Sequence, residues 1–171
     1  MTNAAEVVYF GLGANLGDRR RMLERAAEEL RELSADGAIR VSSWYETEPW
    51  GEPDQPWFMN GAARLTLTLT PADALQAVKE IELRLGRVPG ARWGPRIIDL
   101  DVLLFGSRII RDADLTIPHS QLLNRRFALA PLAEIDPDVA IPGTGLSARE
   151  ALEAGPDRGR IRRLEAQASK L

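Results

Sequence analysis

Residues 97–105, Ile97-Ile98-Asp99-Leu100-Asp101-Val102-Leu103-Leu104-Phe105, form a β-branched and large apolar run with Gly94-Pro95 before it and Gly106 after it. That composition and those boundaries predict a buried strand. Two carboxylates interrupt it. Side chains alternate faces along a strand, so Asp99 and Asp101 share one face, roughly 6.5 to 7 Å apart over two residues of rise. Residues 102–105 carry the apolar run past the aspartates, which argues against a solvated strand end.

The rest of the pattern supplies the neighbours of this strand. Residues 7–10 are a short apolar run leading into Gly11-Leu12-Gly13-Ala14-Asn15-Leu16-Gly17, read as a strand followed by a glycine-rich turn. Asp18 caps a helix in which Met22, Leu23, Ala26, Ala27, Leu30 and Leu33 recur at helical spacing. Residues 39–47 are β-prone. From Asn60, Leu65, Leu67 and Leu69 alternate with Arg64, Thr66 and Thr68, which predicts a half-buried strand with one solvated face. Thr70, Pro71 and Asp73 open a second helix that carries Leu75, Val78, Glu82 and Leu85 and stops at Gly86.

The order strand, helix, strand, strand, helix, strand predicts an α+β fold: a ferredoxin-like βαββαβ antiparallel sheet with helices. Residues 124–134, with Arg125, Arg126 and Phe127, predict a further helix, and Ser147 with Glu150 makes a capping box for another. These form a C-terminal helical extension. The arginine-rich, then polar stretch 158–171 is expected to be a flexible tail. No internal repeat divides the chain, so residues 1–171 are read as one domain.

Composition narrows the chemistry. The chain has 171 residues, 44% hydrophobic and 27% charged, which is ordinary for a globular domain. No apolar run approaches the ~20 residues of a membrane span, and no basic segment followed by an apolar one opens the chain, so a cytoplasmic protein with no membrane partner is expected. The net charge of −3 gives no electrostatic reason to expect nucleic acid. With no cysteine, thiolate nucleophiles and thiolate metal sites are excluded. A monomer is the expected state.

Asp99 and Asp101 repel each other and are costly to bury unless cations sit between them. Carboxylate, phosphate and water oxygens are what Mg²⁺ prefers, so the pair points to metal bound with a phosphate-bearing substrate. Removing either aspartate is expected to relieve repulsion in the ligand-free protein. Arg92 and Arg96 flank the turn before them and offer planar donors to such a substrate. The glycine-rich turn is a weak anion signal, equally read as a tight strand-to-helix connection. Residues 48–57 hold three prolines and two tryptophans, a semi-rigid aromatic loop that either lids the core or makes a slot for a flat heteroaromatic ring. His119 is the only histidine, and on its own reads more readily as a structural hydrogen-bonder than as a catalyst.

Five ordered blocks then carry a resemblance. Gly-Leu-Gly-Ala-Asn-Leu-Gly-Asp from Gly11, Ser-Trp-Tyr-Glu-Thr-Glu-Pro-Trp-Gly from Ser43 with Asp-Gln-Pro-Trp-Phe-Met-Asn from Asp54, Arg-Trp-Gly-Pro-Arg-Ile-Ile-Asp-Leu-Asp from Arg92, Leu-Thr-Ile-Pro-His from Leu115, and Asn-Arg-Arg-Phe-Ala-Leu-Ala-Pro-Leu from Asn124 resemble the 6-hydroxymethyl-7,8-dihydropterin pyrophosphokinases. The likeness runs unbroken over about residues 7–142. It implies transfer of the β,γ-diphosphate of ATP to a pterin hydroxymethyl group, with AMP released, in folate biosynthesis.

By motif, the resemblance makes Asp99 and Asp101 the ligands of two Mg²⁺ ions on the ATP phosphates. Arg87 and Arg96 are then the catalytic arginines that neutralise the transferring group, with Arg96 also a nucleotide contact. Arg92 and Trp93 belong to a mobile loop over the site, Arg92 meeting the nucleotide and Trp93 the pterin. Lys79, Glu82, Thr116, His119 and Arg125 fall at nucleotide positions. Phe58 and Phe127 are the pair that sandwiches the pterin, and Thr47, Glu48, Trp50 and Asn60 read its polar edge. Trp50 stands where a leucine is common. Two rivals share the architecture: a kinase or hydrolase attacking the γ-phosphorus, and a non-catalytic binding module.

Overall fold

The computed structural model describes residues 3–88, 90 and 94–165. Its main sheet is built from β1 (Glu6–Ala14), β2 (Arg40–Val41), β3 (Tyr45–Thr47), β4 (Phe58–Leu67), β5 (Asp99–Phe105) and β10 (Ile161–Arg163). The path across it is β10-β3-β4-β1-β5, with β2 also paired to β4, and every pairing is antiparallel. Two small ribbons, β6 (Ile110–Arg111) with β7 (Thr116–Ile117) and β8 (Ala140–Ile141) with β9 (Leu146–Ser147), lie off the sheet. Four α-helices complete the described chain: α1 (Arg19–Leu33), α2 (Pro71–Arg84), α3 (Arg126–Ile135) and α4 (Ala148–Ala154). No helix among the described residues is long and apolar enough to cross a membrane.

The capping chemistry acts where the sequence places it. The Asp18 side chain accepts from Arg21 N–H at the start of α1, Thr70 from Asp73 N–H at α2, and Ser147 from Glu150 N–H at α4. Gly86 follows α2 with φ +98°, a conformation that side chains disfavour.

The sheet has a core on each face. Phe10, Leu12, Leu65, Leu100 and Val102 pack with Leu23, Leu30, Val78 and Ile81 of α1 and α2. Tyr9 and Leu103 pack on the opposite face with Leu129 and Leu132 of α3 and with Ala148 and Ala151 of α4.

That second layer corrects one expectation. Residues 59–63 of β4 are all buried, because α3 and its own strand neighbours cover the face that the alternation left to solvent. On that side Phe58, Arg64 and Thr66 stay partly exposed.

Two further expectations change. β1 runs to Ala14, so Gly11 and Gly13 are strand residues, paired with Asp101 and Asp99 on one side and with Ala62 and Asn60 on the other. Only Gly17, at φ +65°, belongs to a turn. Of the stretch 158–171, expected to be a flexible tail, residues 161–163 instead add β10 to the sheet edge, and residues 166–171 lie outside the described residues. Ile161, Arg162 and Arg163 pair with Thr47, Glu46 and Tyr45, and the arginines find carboxylates: Arg162 meets Glu46 at 2.6 Å and Arg163 meets Glu134 at 3.1 Å. Charge that reads as a solvated tail is complementary to the edge it covers.

Candidate active site

A cleft of about 1020 Å³, counting its open mouth, lies on the α3 face of the sheet. Its floor exists because β1 presents glycine at Gly11 and Gly13 where side chains would otherwise project between Asn60, Asp99 and Asp101. A methyl group on Gly13 would sit 2.5 Å from Asn60 Oδ1. Asn60 is itself fixed, donating to Thr47 Oγ1 at 2.7 Å.

At one end of the cleft the two aspartates line the wall from the same face of β5, each with its own cations. Asp99 Oδ1 lies 3.1 Å from Arg87 Nη1 and 3.2 Å from Arg96 Nη1. Asp101 is served less closely, with Arg125 Nη1 and His119 Nε2 each 3.8 Å away. Burial first, then repulsion from Asp99, pushes the Asp101 carboxyl up to about 7. Among the described residues, Asp101 is therefore the carboxylate with the more distant cations.

His119 is neutral in this setting. Burial and then the nearby Arg125 push its imidazole down to about 4. Its Nδ1 accepts from Gln121 N–H at 3.1 Å, which assigns the ring proton to Nε2, facing Asp101. The imidazole is thus a neutral donor aimed into the cleft.

Two buried residues hold the arginines. Glu82, 7% exposed, accepts from Leu100 N–H through Oε1 at 2.7 Å and pairs with Arg87 through Oε2 at 2.7 Å. Burial raises its carboxyl above the usual range against those two contacts. Asn15, 3% exposed, accepts from Arg96 N–H at 2.8 Å and donates to Gln55 Oε1 and Pro56 O, both at 2.9 Å. It joins the arginine segment to the aromatic loop.

At the other end, Trp50, Phe58 and Phe127 line the cleft with Thr47, Glu48 and Asn60. The Arg125 guanidinium lies over the Trp50 ring at 4.8 Å and over the Phe127 ring at 5.5 Å. The bulky Trp50 thus stacks on an arginine that also reaches toward Asp101. The Glu48 carboxylate points to Arg160, at 2.6 Å from its Nε.

The structure therefore brings Thr47, Glu48, Trp50, Phe58, Asn60, Arg96, Asp99, Asp101, His119, Arg125 and Phe127 into one cleft. Glu82 and Arg87 stand behind it as a linked pair. Lys79 is exposed on α2 and Thr116 is in β7, and neither lines the cleft. Arg92 and Trp93 lie outside the described residues. Sequence reasoning missed Asn15 and the cleft-floor glycines. The glycines did leave a signal, since Gly11 and Gly13 stand at the i, i+2 spacing of one strand face.

Among the described residues no group of three or more His, Cys, Asp or Glu could enclose a metal ion. Two carboxylates on one strand face suit a hard cation that takes its remaining oxygens from phosphate and water. Asp99 and Asp101 fit Mg²⁺ on those terms.

Paired carboxylates framed by three arginines, open at one end onto an aromatic slot, define a pocket for a polyanionic substrate beside a flat ring. The family comparison names that class more closely. Residues 9–137 match the family described as 7,8-dihydro-6-hydroxymethylpterin-pyrophosphokinase (HPPK). The chain is 44% identical over 157 residues to the 2-amino-4-hydroxy-6-hydroxymethyldihydropteridine pyrophosphokinase of Methylorubrum extorquens, covering 92% of this chain and 98% of that one. It is 42% identical over 152 residues to the Pseudomonas aeruginosa protein of the same name, covering 89% and 93%. Among solved structures, Plasmodium falciparum HPPK-DHPS with pterin and p-hydroxybenzoate matches with a TM-score of 0.70 at 16% identity, over 90% of this chain. The chain spans 42% of that longer one. The chain belongs to the HPPK family.

Proposed function

We propose that this protein transfers the β,γ-diphosphate of ATP to the hydroxymethyl group of 6-hydroxymethyl-7,8-dihydropterin, giving the pterin diphosphate and AMP. The observation that carries this reading is the joint placement of Asp99 and Asp101, flanked by Arg87, Arg96 and Arg125, at one end of a cleft whose other end is aromatic. Family membership over residues 9–137 supports it.

Asp99 and Asp101 would hold Mg²⁺, two ions by the family resemblance. Bound there, Mg²⁺ supplies charge neutralisation for the phosphate chain. The protein's own share is positioning. Arg96 and Arg87 turn from Asp99 toward phosphate oxygens, while Asn15 and Glu82 keep their backbones and guanidinium groups in place. Neutral His119 donates from Nε2, and Arg125 supplies fixed charge nearby. Phosphoryl-type transfer depends on such electrostatic preorganisation more than on covalent participation. Phe58 and Phe127 cover the ring, and Asn60, Thr47 and Glu48 set the polarity around its edge. The substrate hydroxyl then attacks the β-phosphorus in line and AMP leaves.

The strand order β5-β1-β4-β3 fits a ferredoxin-like arrangement, with α3 and α4 as the C-terminal extension. We read the chain as one domain acting as a monomer in the cytoplasm.

Separation of nucleotides after turnover tests the reaction. AMP formed one-for-one with a pterin diphosphate, and only when pterin and Mg²⁺ are both present, is the expected result. ADP as the product would assign γ-phosphoryl transfer instead, and no turnover with tight nucleotide binding would leave a binding module.

A further inference from the structure

We propose that Asp157 and Arg160, on the segment that enters β10, are positioning residues for the ring-binding half of the cleft. This rests on the proposed function for the identity of the ring. Both residues lie beyond residues 9–137, the part that matches the family, so the family assignment gives them no role.

The argument begins at α3. Its N-cap position, Arg125, makes no side-chain capping bond. The missing acceptor comes from elsewhere in the chain: Asp157 Oδ2 accepts from Arg126 N–H at 2.9 Å. A carboxylate at a helix N-terminus satisfies an orphan donor and complements the helix dipole. Asp157 is in turn held by Gly159 N–H on Oδ1 at 2.8 Å, and Arg126 Nη1 returns to Gly159 O at 3.2 Å. The two residues flanking the capped N–H are Arg125 and Phe127, both lining the cleft.

Three residues after Asp157, the same segment grips the opposite wall. Glu48 N–H donates to Arg160 O at 3.1 Å, Arg160 N–H donates to Glu48 Oε2 at 2.8 Å, and Arg160 Nε donates to Glu48 Oε1 at 2.6 Å. The Arg160 guanidinium also lies 5.0 Å from the centre of the Trp57 ring, next to Phe58 in sequence. Residues 157–160 therefore touch all three walls of the slot: Phe127 through Arg126, Thr47 and Trp50 through Glu48, and Phe58 through Trp57. A small cavity of about 310 Å³ between this segment and the slot has Glu48, Trp50, Phe127, Asp157 and Arg160 among its walls. The segment makes no direct contact with Asp99 or Asp101 and meets the phosphate end only through Arg125, beside the capped N–H, so its influence falls first on the ring.

The test measures KM and kcat for 6-hydroxymethyl-7,8-dihydropterin and for Mg-ATP in the parent, Asp157→Ala, Arg160→Ala and Arg160→Lys. Melting temperatures are taken in parallel. Arg149→Ala serves as the control, since it removes an exposed ion pair with Asp138 away from the cleft. Arg160 is 76% exposed, so its loss leaves the core intact.

The expected result is a pterin KM raised about tenfold in both alanine variants, the scale of one cap or charge-assisted hydrogen bond, with kcat unchanged and the ATP KM raised by much less. Arg160→Lys recovers part of the loss because it keeps a cation beside Glu48 and Trp57. Unchanged pterin KM, or equal weakening of both substrates in step with a lower melting temperature, overturns the proposal. A parent protein with no pterin turnover at all removes the proposed function and this inference with it.

Discussion

Arg87 Nη1 bridges two carboxylates, Glu82 Oε2 at 2.7 Å behind the cleft and Asp99 Oδ1 at 3.1 Å at its wall. One guanidinium is thus tethered at its buried side while its other neighbour is free to take a cation instead. Substrate phosphate can compete for Arg87 with Asp99, but Glu82 has no solvent-facing alternative. The tether fixes where the arginine's charge stays when the site fills.

Glu82→Gln is expected to keep the bond from Leu100 N–H through the amide oxygen while losing the charge that holds Arg87. Catalytic preorganisation should suffer more than folding. We expect kcat/KM to fall about tenfold, below the cost of deleting a transition-state donor outright, because Arg87 remains but wanders. Steady-state kinetics alongside Arg87→Ala checks this. If Glu82→Gln matched the parent while Arg87→Ala lost most activity, the tether would have no catalytic weight.

Gly13→Ala should close the cleft floor. Its added methyl group would meet Asn60 Oδ1 at 2.5 Å, and Asn60 cannot yield without breaking its bond to Thr47. Overpacking of this kind costs about 1 to 3 kcal/mol. Gly11→Ala meets only Leu103, at 3.4 Å, an ordinary contact. Thermal melts should therefore rank Gly13→Ala below Gly11→Ala, and the reverse order would show that Asn60 moves freely.

The aspartate pair, the aromatic loop and the helix caps were legible because each is a local signal: alternation along one strand, ring content, and a capping side chain beside its helix. What the sequence hid depends on contacts between distant segments. Arg160 and Glu48 are 112 positions apart, and neither marks the other. Gly11 and Gly13 read as a turn because a glycine run signals a breaker, whereas here the cleft requires strand positions without side chains. Glu82 read as a nucleotide residue by motif alone, since nothing local shows its contacts with Leu100 N–H and Arg87.

Phe127→Ala should weaken pterin binding by about 1 to 3 kcal/mol, because a stacked aromatic contributes burial and dispersion only to the ring it covers. The same change removes a ring that flanks the Arg125 guanidinium, so a smaller effect on nucleotide affinity is expected through that arginine. Calorimetric titration of each ligand separates the two. Equal losses would point to damage in α3 and not to a stacking role.

Asp99→Asn and Asp101→Asn should both abolish most turnover yet differ in the ligand-free protein. Sequence alone suggested that removing either relieves repulsion. The structure separates them. Asp99 is neutralised by Arg87 and Arg96 at 3.1 and 3.2 Å, so Asp99→Asn breaks two partly exposed ion pairs and should lower stability by about 1 kcal/mol. Among the described residues Asp101 has its nearest cations at 3.8 Å, and its carboxyl is pushed up to about 7 by burial and by Asp99. A group whose folded-state value is raised contributes stability that is complete below its unfolded value, near 4, and is lost as pH rises through about 7. The ligand-free parent should therefore lose stability at Asp101 between about pH 4 and pH 7, and Asp101→Asn should not. His119, pushed down to about 4, works in the opposite sense, since its stability is present above the unfolded value near 6.5 and lost as pH falls toward 4. The difference between parent and Asp101→Asn melts, taken from pH 5 to pH 8, removes that shared contribution to first order. Asp101→Asn should exceed the parent by a margin that grows from pH 5 to pH 8, and gain far less from Mg²⁺ with an ATP analogue, because an amide is a poorer ligand than a carboxylate. An Asp101→Asn variant that melted below the parent at pH 8 without ligand would show that Asp101 is not short of positive charge.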